Sequence, residues 1–292
     1  MSEGLILKGV GGLYHVESEG RVIECRAGGR LRLGDMVPCA GDRVTVEPNG
    51  EEGFITSILP RRNFLTRPPV ANIDILFIVA SEAPPETDTY LIDRQTVVSY
   101  FRDITPIVLL NKSDIASNDR LFGIYKAAGI PVYKVSALTG QGLDRVRELA
   151  KGKICAFSGN SAVGKSSLLN ALLPGAGLEV GGLSRKISRG KNTTRSVELL
   201  PFPDGGYAAD TPGFSSFVNT PLERIGKDRL QFFFPEIEPH FGRCRFMNCS
   251  HLKEQGCVIR QMEKEGLIPE SRMKSYEMLH AELSQYKDWE EK

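Results

Sequence analysis

No stretch of this chain is both apolar enough and long enough to cross a bilayer: the richest run, IDILFIVA, falls far short of the ~20 residues required. The opening MSEGLILKGVGGLYHVE lacks a basic stretch followed by a long apolar core, so no secretory leader is expected. Charge imbalance is missing too. Lys+Arg 37 against Asp+Glu 36 leaves +1, which makes no global case for a polyanion and confines any such contact to local patches. These absences point to a cytoplasmic protein with no membrane or DNA partner, in a compartment where thiols stay reduced. Disulfides are then not expected, and the six cysteines need another reading. Cys25, Cys39 and Cys155 are scattered, whereas Cys244, Cys249 and Cys257 crowd together, a pattern that favours a metal. What remains is globular: 41% hydrophobic, 25% charged, with 30 Gly and 17 Pro to punctuate many elements over 292 residues.

Three textures follow one another. Residues 1–66 carry short alternating runs (GLYHVES, RVIECRAG, DRVTVEPNG, GFITSILP) broken by turn residues, which predict a small antiparallel barrel or sandwich. No catalytic cluster stands out there, so a binding module is the better reading. Arg26, Arg30, Arg32 and Arg43 form either a basic face or a solvated surface. Residues 67–219 alternate buried-type strands (IDILFIVA, PIVLL, PVYKVS, KICAFSG) with helical stretches (YLIDRQTVVSYF, GLDRVRELA, KSSLLNALL), predicting a mainly parallel sheet covered on both faces. Residues 220–292 hold the Cys/His cluster and end in SRMKSYEMLHAELSQYKDWEEK. There Met273, Tyr276, Leu279, Leu283 and Tyr286 make a helical stripe, read first as core packing and second as a partner groove. The fold class is thus multidomain: β-barrel, central α/β P-loop domain, α-rich metal-binding module.

Gly159-Asn160-Ser161-Ala162-Val163-Gly164-Lys165-Ser166-Ser167 follows a strand and opens a helix, the context a phosphate loop requires. Its glycines let backbone N–H groups turn inward around phosphate oxygens, and the helix N-terminus adds a favourable dipole. Lys165 is placed to reach the β/γ-phosphates and the Ser166 hydroxyl to ligate Mg2+. Asp210-Thr-Pro-Gly213 ends another strand: Asp210 suits the Mg2+ shell, and Gly213 leaves its N–H free to approach a γ-phosphate. Alone DTPG is a weak signal, since these residues make turns everywhere. Asn192-Thr193-Thr194-Arg195 reads as a first switch, with Thr194 favoured as a second Mg2+ ligand and Thr193 the alternative. Arg185, Lys186, Arg189, Lys191 and Arg195 make the densest basic run of the chain, either a mobile loop or one that touches a polyanion.

Asn111-Lys112-Ser113-Asp114 ends the run ITPIVLL. A carboxylate at Asp114 accepts from guanine N1–H and the 2-amino group, the Asn111 amide meets N7 and O6, and the Lys112 stem covers the base. A buried carboxylate there rejects adenine, which offers no matching donors. Ser136-Ala137, ending PVYKV, reads as the backbone clamp for O6. Each loop follows a strand, so all converge on the sheet edge where open α/β sheets bind ligands. The order is shuffled: base-reading motif first, phosphate loop after it. Such a rearrangement is physically permissible where the old chain ends lie close together.

Cys244-RFMN-Cys249-Ser-His251-LKEQG-Cys257 offers three thiolates and one imidazole, a closed set for one structural Zn2+ with no open catalytic position. Taken together, the barrel, the order NKSD, SA, GNSAVGKSS, NTTR, DTPGF, and the Cys/His loop resemble the circularly permuted, small-subunit-dependent GTPases of bacterial ribosome assembly, the RsgA (YjeQ/YloQ) family. That resemblance implies an OB-fold barrel and zinc at these ligand positions. It also implies binding to the small ribosomal subunit and its rRNA late in maturation, ribosome-stimulated hydrolysis of GTP to GDP, and release after quality checking; the expected form is a monomer. Where family members often carry His before the paired threonines, this chain has Asn192. Phe214 follows DTPG where Ras-like switches place a water-orienting Gln. Phenylalanine cannot hold water by hydrogen bonding. Slow intrinsic turnover is therefore expected, with a partner ordering the switches or supplying a missing group. The competing reading is a GTP-gated RNA-binding module with other RNA targets.

Overall fold

The architecture is that of a computed structural model, which describes residues 1–28, 36–50, 52–66, 68–175, 177, 197–210 (Asp210 by its backbone alone) and 225–286. The sequence-predicted Thr194 and Gly213, with Asn192, Thr193, Phe214 and the basic run 185–195, lie outside the described residues, as do Arg30 and Arg32. Two compact units emerge: Met1–Leu76 with Asp144–Phe157 and Leu169–Phe214, and Phe77–Leu143 with Ser158–Leu168 and Ser215–Lys292.

In the first unit, β1 (Ser2–Val10), β2 (Leu13–Ser18), β3 (Arg21–Ala27), β4 (Arg43–Asn49) and β5 (Glu52–Ile58) form a five-strand barrel. Closure comes from β1, which pairs antiparallel with β2 and also with β4, in register from Ser2↔Val46 to Leu5↔Arg43. β3 pairs parallel with β5, and β5 antiparallel with β4. The period of two places Ile6, Tyr14, Val16, Cys25, Val44, Val46 and Ile55 inside. The space is tight: a Cβ on Gly53 would stand 2.8 Å from Cys25 Sγ and 2.9 Å from Val46 Cγ1. A closed ring leaves no free sheet edge of its own to aggregate. β6 (Phe64–Thr66) and β7 (Pro69–Ala71) form a separate two-stranded ribbon.

The same unit holds α3 (Leu143–Ala150, but for its first residue), most of β11 (Ile154–Ser158), β12 (Glu198–Pro201) and β13 (Tyr207–Asp210). The strand order there is β11-β13-β12-β1-β2-β3-β5-β4. β11 and β13 are parallel, whereas β12 and β13 make a hairpin with Glu198 opposite Asp210. At its other edge β12 pairs with barrel strand β1, Lys8 facing Glu198 with Nζ to Oε2 at 2.6 Å. Tyr207 adds a hydroxyl bond to the Glu17 carboxylate.

The second unit carries β8 (Ile75–Ala80, from its third residue on), α1 (Thr89–Phe101), β9 (Thr105–Leu110), α2 (Asp119–Ala127), β10 (Val132–Lys134) and the first half of α4 (Lys165–Leu172), with α5 (Val258–Lys264) and α6 (Glu270–Leu283). Strands run in the order β10-β9-β8, with β10 and β9 parallel. All of β8 and the last five residues of β9 are buried, which is why these strands read as unbroken apolar runs. The stripe on α6 is core: Met273, Tyr276, Leu279 and Leu283 are buried, and Tyr286 beyond the helix is half-buried. Arg272 on the same helix is fully buried. Its Nη1 lies 2.6 Å from Asp93 Oδ1 on α1, and its Nε and Nη2 reach the Glu236 carboxylate at 2.6 and 3.2 Å. Tyr125 of α2 donates to the same Asp93 oxygen at 3.0 Å, and the guanidinium lies over the Phe234 ring. Among the described residues no helix is long and apolar enough to cross a membrane.

Candidate functional site

Three loops at strand ends, all within the second unit, hold the residues that the sequence predicts for the base and the phosphates. Asn111 follows β9; its backbone N–H donates to Ala80 O at the end of β8, and Val135 N–H donates to Leu110 O. Strand pairing thus levels the ends of β8, β9 and β10 and sets the base-reading loop beside the Ser136-Ala137 loop. Asn111 then spans both neighbours. Its Nδ2 donates to Val163 O in the phosphate loop at 2.9 Å, and its Oδ1 accepts from Ala137 N–H at 3.1 Å. One amide joins three loops, leaving the second Nδ2 hydrogen for a base. Ser136 is buried, and its hydroxyl donates to Asp114 Oδ1 at 2.5 Å, aiming a carboxylate that is itself exposed. Asp114 is therefore not buried by the protein; only a seated base would exclude water from it. Lys112 holds a left-handed φ of 63°, and its Nζ donates to Pro84 O at 3.2 Å.

The phosphate loop fits backbone to neighbour with no room for side chains at its two glycines. Gly159 has φ 153° and a Cβ there would meet Val79 O at 2.4 Å. Gly164 has φ 88° and a Cβ would meet Asn111 Nδ2 at the same 2.4 Å. Glycine at 164 is thus what lets the base-reading and phosphate-binding loops touch. Asn160 is half-buried, Ser161 and Ala162 are exposed, and Val163 is buried as the anchor beneath the loop. Lys165, Ser166 and Ser167 open α4 half-buried. Burial lowers the Lys165 ammonium pKa, and among the described residues no carboxylate meets it. A partly desolvated cation beside free helix N–H groups calls for an anion, so these residues fit a nucleotide phosphate chain. Asp210 ends β13 as the sequence predicts.

Cys244, Cys249, His251 and Cys257 come together with their ligand atoms all within 4.8 Å of one another. Cys244 Sγ lies 3.9 Å from Cys257 Sγ, and His251 Nδ1 lies 3.6 and 3.4 Å from those two sulfurs. A tetrahedron with Zn–S about 2.3 Å and Zn–N about 2.0 Å has edges of about 3.8 Å (S–S) and about 3.5 Å (S–N). The donor set fits zinc. Burial pushes the Cys249 thiol up to about 12 and raises Cys257, so the sulfurs are poor thiolates until a dication offsets that cost. His251 Nε2 meets Gln231 Oε1 at 3.0 Å, which assigns the proton to Nε2 and leaves Nδ1 to ligate. The loop is folded around Glu254, whose carboxylate accepts from the Ser250 hydroxyl and the Ser250, Leu252 and Lys253 N–H groups. Burial opposes its ionisation, but these donors pull the carboxyl down to about 2. Gln231 carried no sequence signal, standing 20 positions from the histidine it orients.

The fold and site define a class: a P-loop GTPase whose base-reading motif precedes its phosphate loop, carrying a five-strand barrel and a Cys/His module. The RsgA GTPase family pattern matches residues 58–219 and the RsgA N-terminal domain pattern residues 3–55; the chain belongs to the RsgA GTPase family. It is 44% identical to the small ribosomal subunit biogenesis GTPase RsgA of Moorella thermoacetica over 96% of this chain and 97% of that one. The counterpart in Caldanaerobacter subterraneus subsp. tengcongensis is 40% identical over 97% and 96%. The crystal structure of YjeQ from Thermotoga maritima superposes with a TM-score of 0.82 at 33% identity, covering 98% of this chain and 99% of that one. YloQ, described as a circularly permuted GTPase, gives 0.83 at 31% over 98% and 96%.

Proposed function

We propose that this protein hydrolyses GTP to GDP and phosphate on the small ribosomal subunit, as a late maturation or checkpoint factor that turnover releases. The observation that carries the reading is Asn111, which ties the guanine-reading loop, the Ala137 clamp and the phosphate loop into one receptor. In this account Asn111, Lys112, Asp114, Ser136 and Ala137 hold the base, and Gly159–Ser167 wraps the phosphates. Lys165 balances β/γ-phosphate charge. Mg2+, held by Ser166 and Thr194 with Asp210 near its shell, supplies further charge neutralisation as the γ-phosphoryl leaves. Gly213 N–H would sense that group.

The domain reading is a barrel at 1–66, the GTPase at 67–219 and a zinc-binding helical module at 220–292. β12 lies in sequence between the two switch stretches and pairs with barrel strand β1. The partners are the small subunit and its rRNA, with no DNA, membrane or second copy engaged, in the cytoplasm. The test is GTP turnover alone and with small subunits, large subunits or free RNA, for wild type beside Ser166→Ala. Stimulation by small subunits, lost in Ser166→Ala, is expected. Equal stimulation by free RNA would favour the GTP-gated RNA-binding module instead.

A further inference from the structure

Behind the base-reading loop lies an exchange of hydrogen bonds that the proposed function leaves unused. Asn118 is wholly buried, holds φ 55° and stands at the N-cap of α2, yet its side chain makes no cap bond. An asparagine there ordinarily accepts from the second or third N–H of its own helix. Glu82 does so instead, its Oε1 accepting from Leu121 N–H at 2.6 Å. Asn118 reciprocates: its Oδ1 accepts from Glu82 N–H at 2.8 Å, and its Nδ2 donates to Asn111 O at 3.1 Å. This is the exchange of a capping box, divided between two loops 36 positions apart. The loop that begins at Ser81 also supplies Pro84 O to Lys112 Nζ. It thus grips the first residue of the NKSD motif through Asn118 and the second directly. Lys112 and Asn118 are both non-glycine residues in the left-handed region, a conformation that persists only where surroundings impose it.

We infer that Glu82 and Asn118 are positioning residues for guanine recognition, their exchange setting Asn111 and Lys112 before nucleotide arrives. The inference deepens the proposed function and rests on it. Neither side chain touches the base; each acts through the loop, by preorganisation.

The experiment uses the full chain, a fluorescent GDP analogue, and competition by GDP, GMP and ADP. Asn118→Gly keeps the left-handed backbone and removes the side chain. Glu82→Ala removes the acceptor, and Glu82→Gln restores one. Both removals should cut the preference for GDP over ADP about tenfold, the size of one to two net hydrogen bonds, and speed analogue release. The ratio of GDP to GMP affinity, which reports the phosphate loop, should not change. Glu82→Gln should recover most of the loss, and the double removal should be no worse than the worse single. An unchanged GDP/ADP preference in both Asn118→Gly and Glu82→Ala overturns the inference while leaving the functional reading intact. So does a GDP/ADP and GDP/GMP decline in parallel, which marks general loosening. A wild type indifferent between GDP and ADP overturns the functional reading and this inference with it.

Discussion

Replacing Arg272 with methionine keeps much of its stem and removes the cation that pairs both Asp93 and Glu236. Arg272 and Asp93 are fully buried and the Glu236 side chain is 4% exposed, with contacts of 2.6 Å to each carboxylate. The cation is outnumbered, and burial already pushes the Asp93 carboxyl up while Arg272 pulls it down. Without Arg272 two buried carboxylates lose their cation, and Asp93 keeps only hydrogen-bond donors such as the Tyr125 hydroxyl. Breaking a buried pair in this way costs about 3–5 kcal/mol, a large part of the ~5–15 kcal/mol that holds an ordinary domain. The variant should escape part of that cost by taking up a proton. A carboxyl whose folded pKa is raised binds more protons folded than unfolded between its two pKa values, so stability falls as pH rises through that window. Acidifying from pH 7.5 to 5.5 should therefore return about 2–3 kcal/mol to Arg272→Met, and less to wild type, whose carboxylates are paired. Urea unfolding by circular dichroism at both pH values, with zinc in excess, measures the difference. Adding Asp93→Asn and Glu236→Gln to Arg272→Met should recover more than half the deficit at pH 7.5. A deficit under about 1 kcal/mol, or one equal at both pH values, would refute the buried-charge argument.

Gly164→Ala places a Cβ 2.4 Å from Asn111 Nδ2 at φ 88°. GDP affinity should fall by about a hundredfold while the melting temperature moves a few degrees, because the strain is local; calorimetry showing unchanged affinity would refute the loop contact. Cys249→Ala should reduce metal content from about one zinc per chain to near none by elemental analysis, and lower the helical signal as α5 and its loop lose their anchor. Asp114→Asn turns an acceptor into a donor, so preference for GDP over XDP should reverse in competition binding, xanthine offering a carbonyl where guanine has an amino group.

The chemistry-bearing loops were legible because each is a contiguous handful of residues whose spacing matters locally. NKSD, the phosphate loop and the Cys/His cluster needed only a strand before or a short span around them; the structure brings Asn111 against Val163 and gathers the Cys/His ligand atoms, whereas Asp114, read as a buried carboxylate, is exposed. Buried apolar strands were legible for a similar reason: β8 and β9 cannot show polar alternation when both faces are covered. The lengths of elements were less so; PVYKVS yields only a three-residue strand, Val132–Lys134. What stayed hidden were long-range polar ties. Arg272 and Asp93 stand 179 positions apart, and on a helix each reads as a solvated charge until the fold buries both. Asn118 carried no sequence signal, and only the geometry shows its side chain spent on Glu82 and Asn111.

These hidden ties form a continuous path within the second unit. Lys112 holds the Pro84 carbonyl, the same loop leads into α1 at Thr89, and α1 presents Asp93 to Arg272 on α6. Tyr276, one turn beyond Arg272, packs at 6.2 Å from the His251 ring. Contacts alone do not make a signal; coupling requires that both ends bias the same element between two arrangements. Linkage supplies the decisive measurement, since a coupling free energy must act equally in both directions. If α1 is that element, saturating GDP should slow zinc loss to a chromogenic chelator, and zinc-stripped protein should bind GDP more weakly by the equilibrium factor GDP imposes on zinc affinity, about fivefold or more for a coupling of 1 kcal/mol upward. Arg272→Lys, which keeps the charge but not the fork that grips two carboxylates, should shrink both factors together. Equal zinc affinity with and without GDP would reduce the path to scaffolding, and unequal factors in the two directions would show that the two measurements do not report one equilibrium.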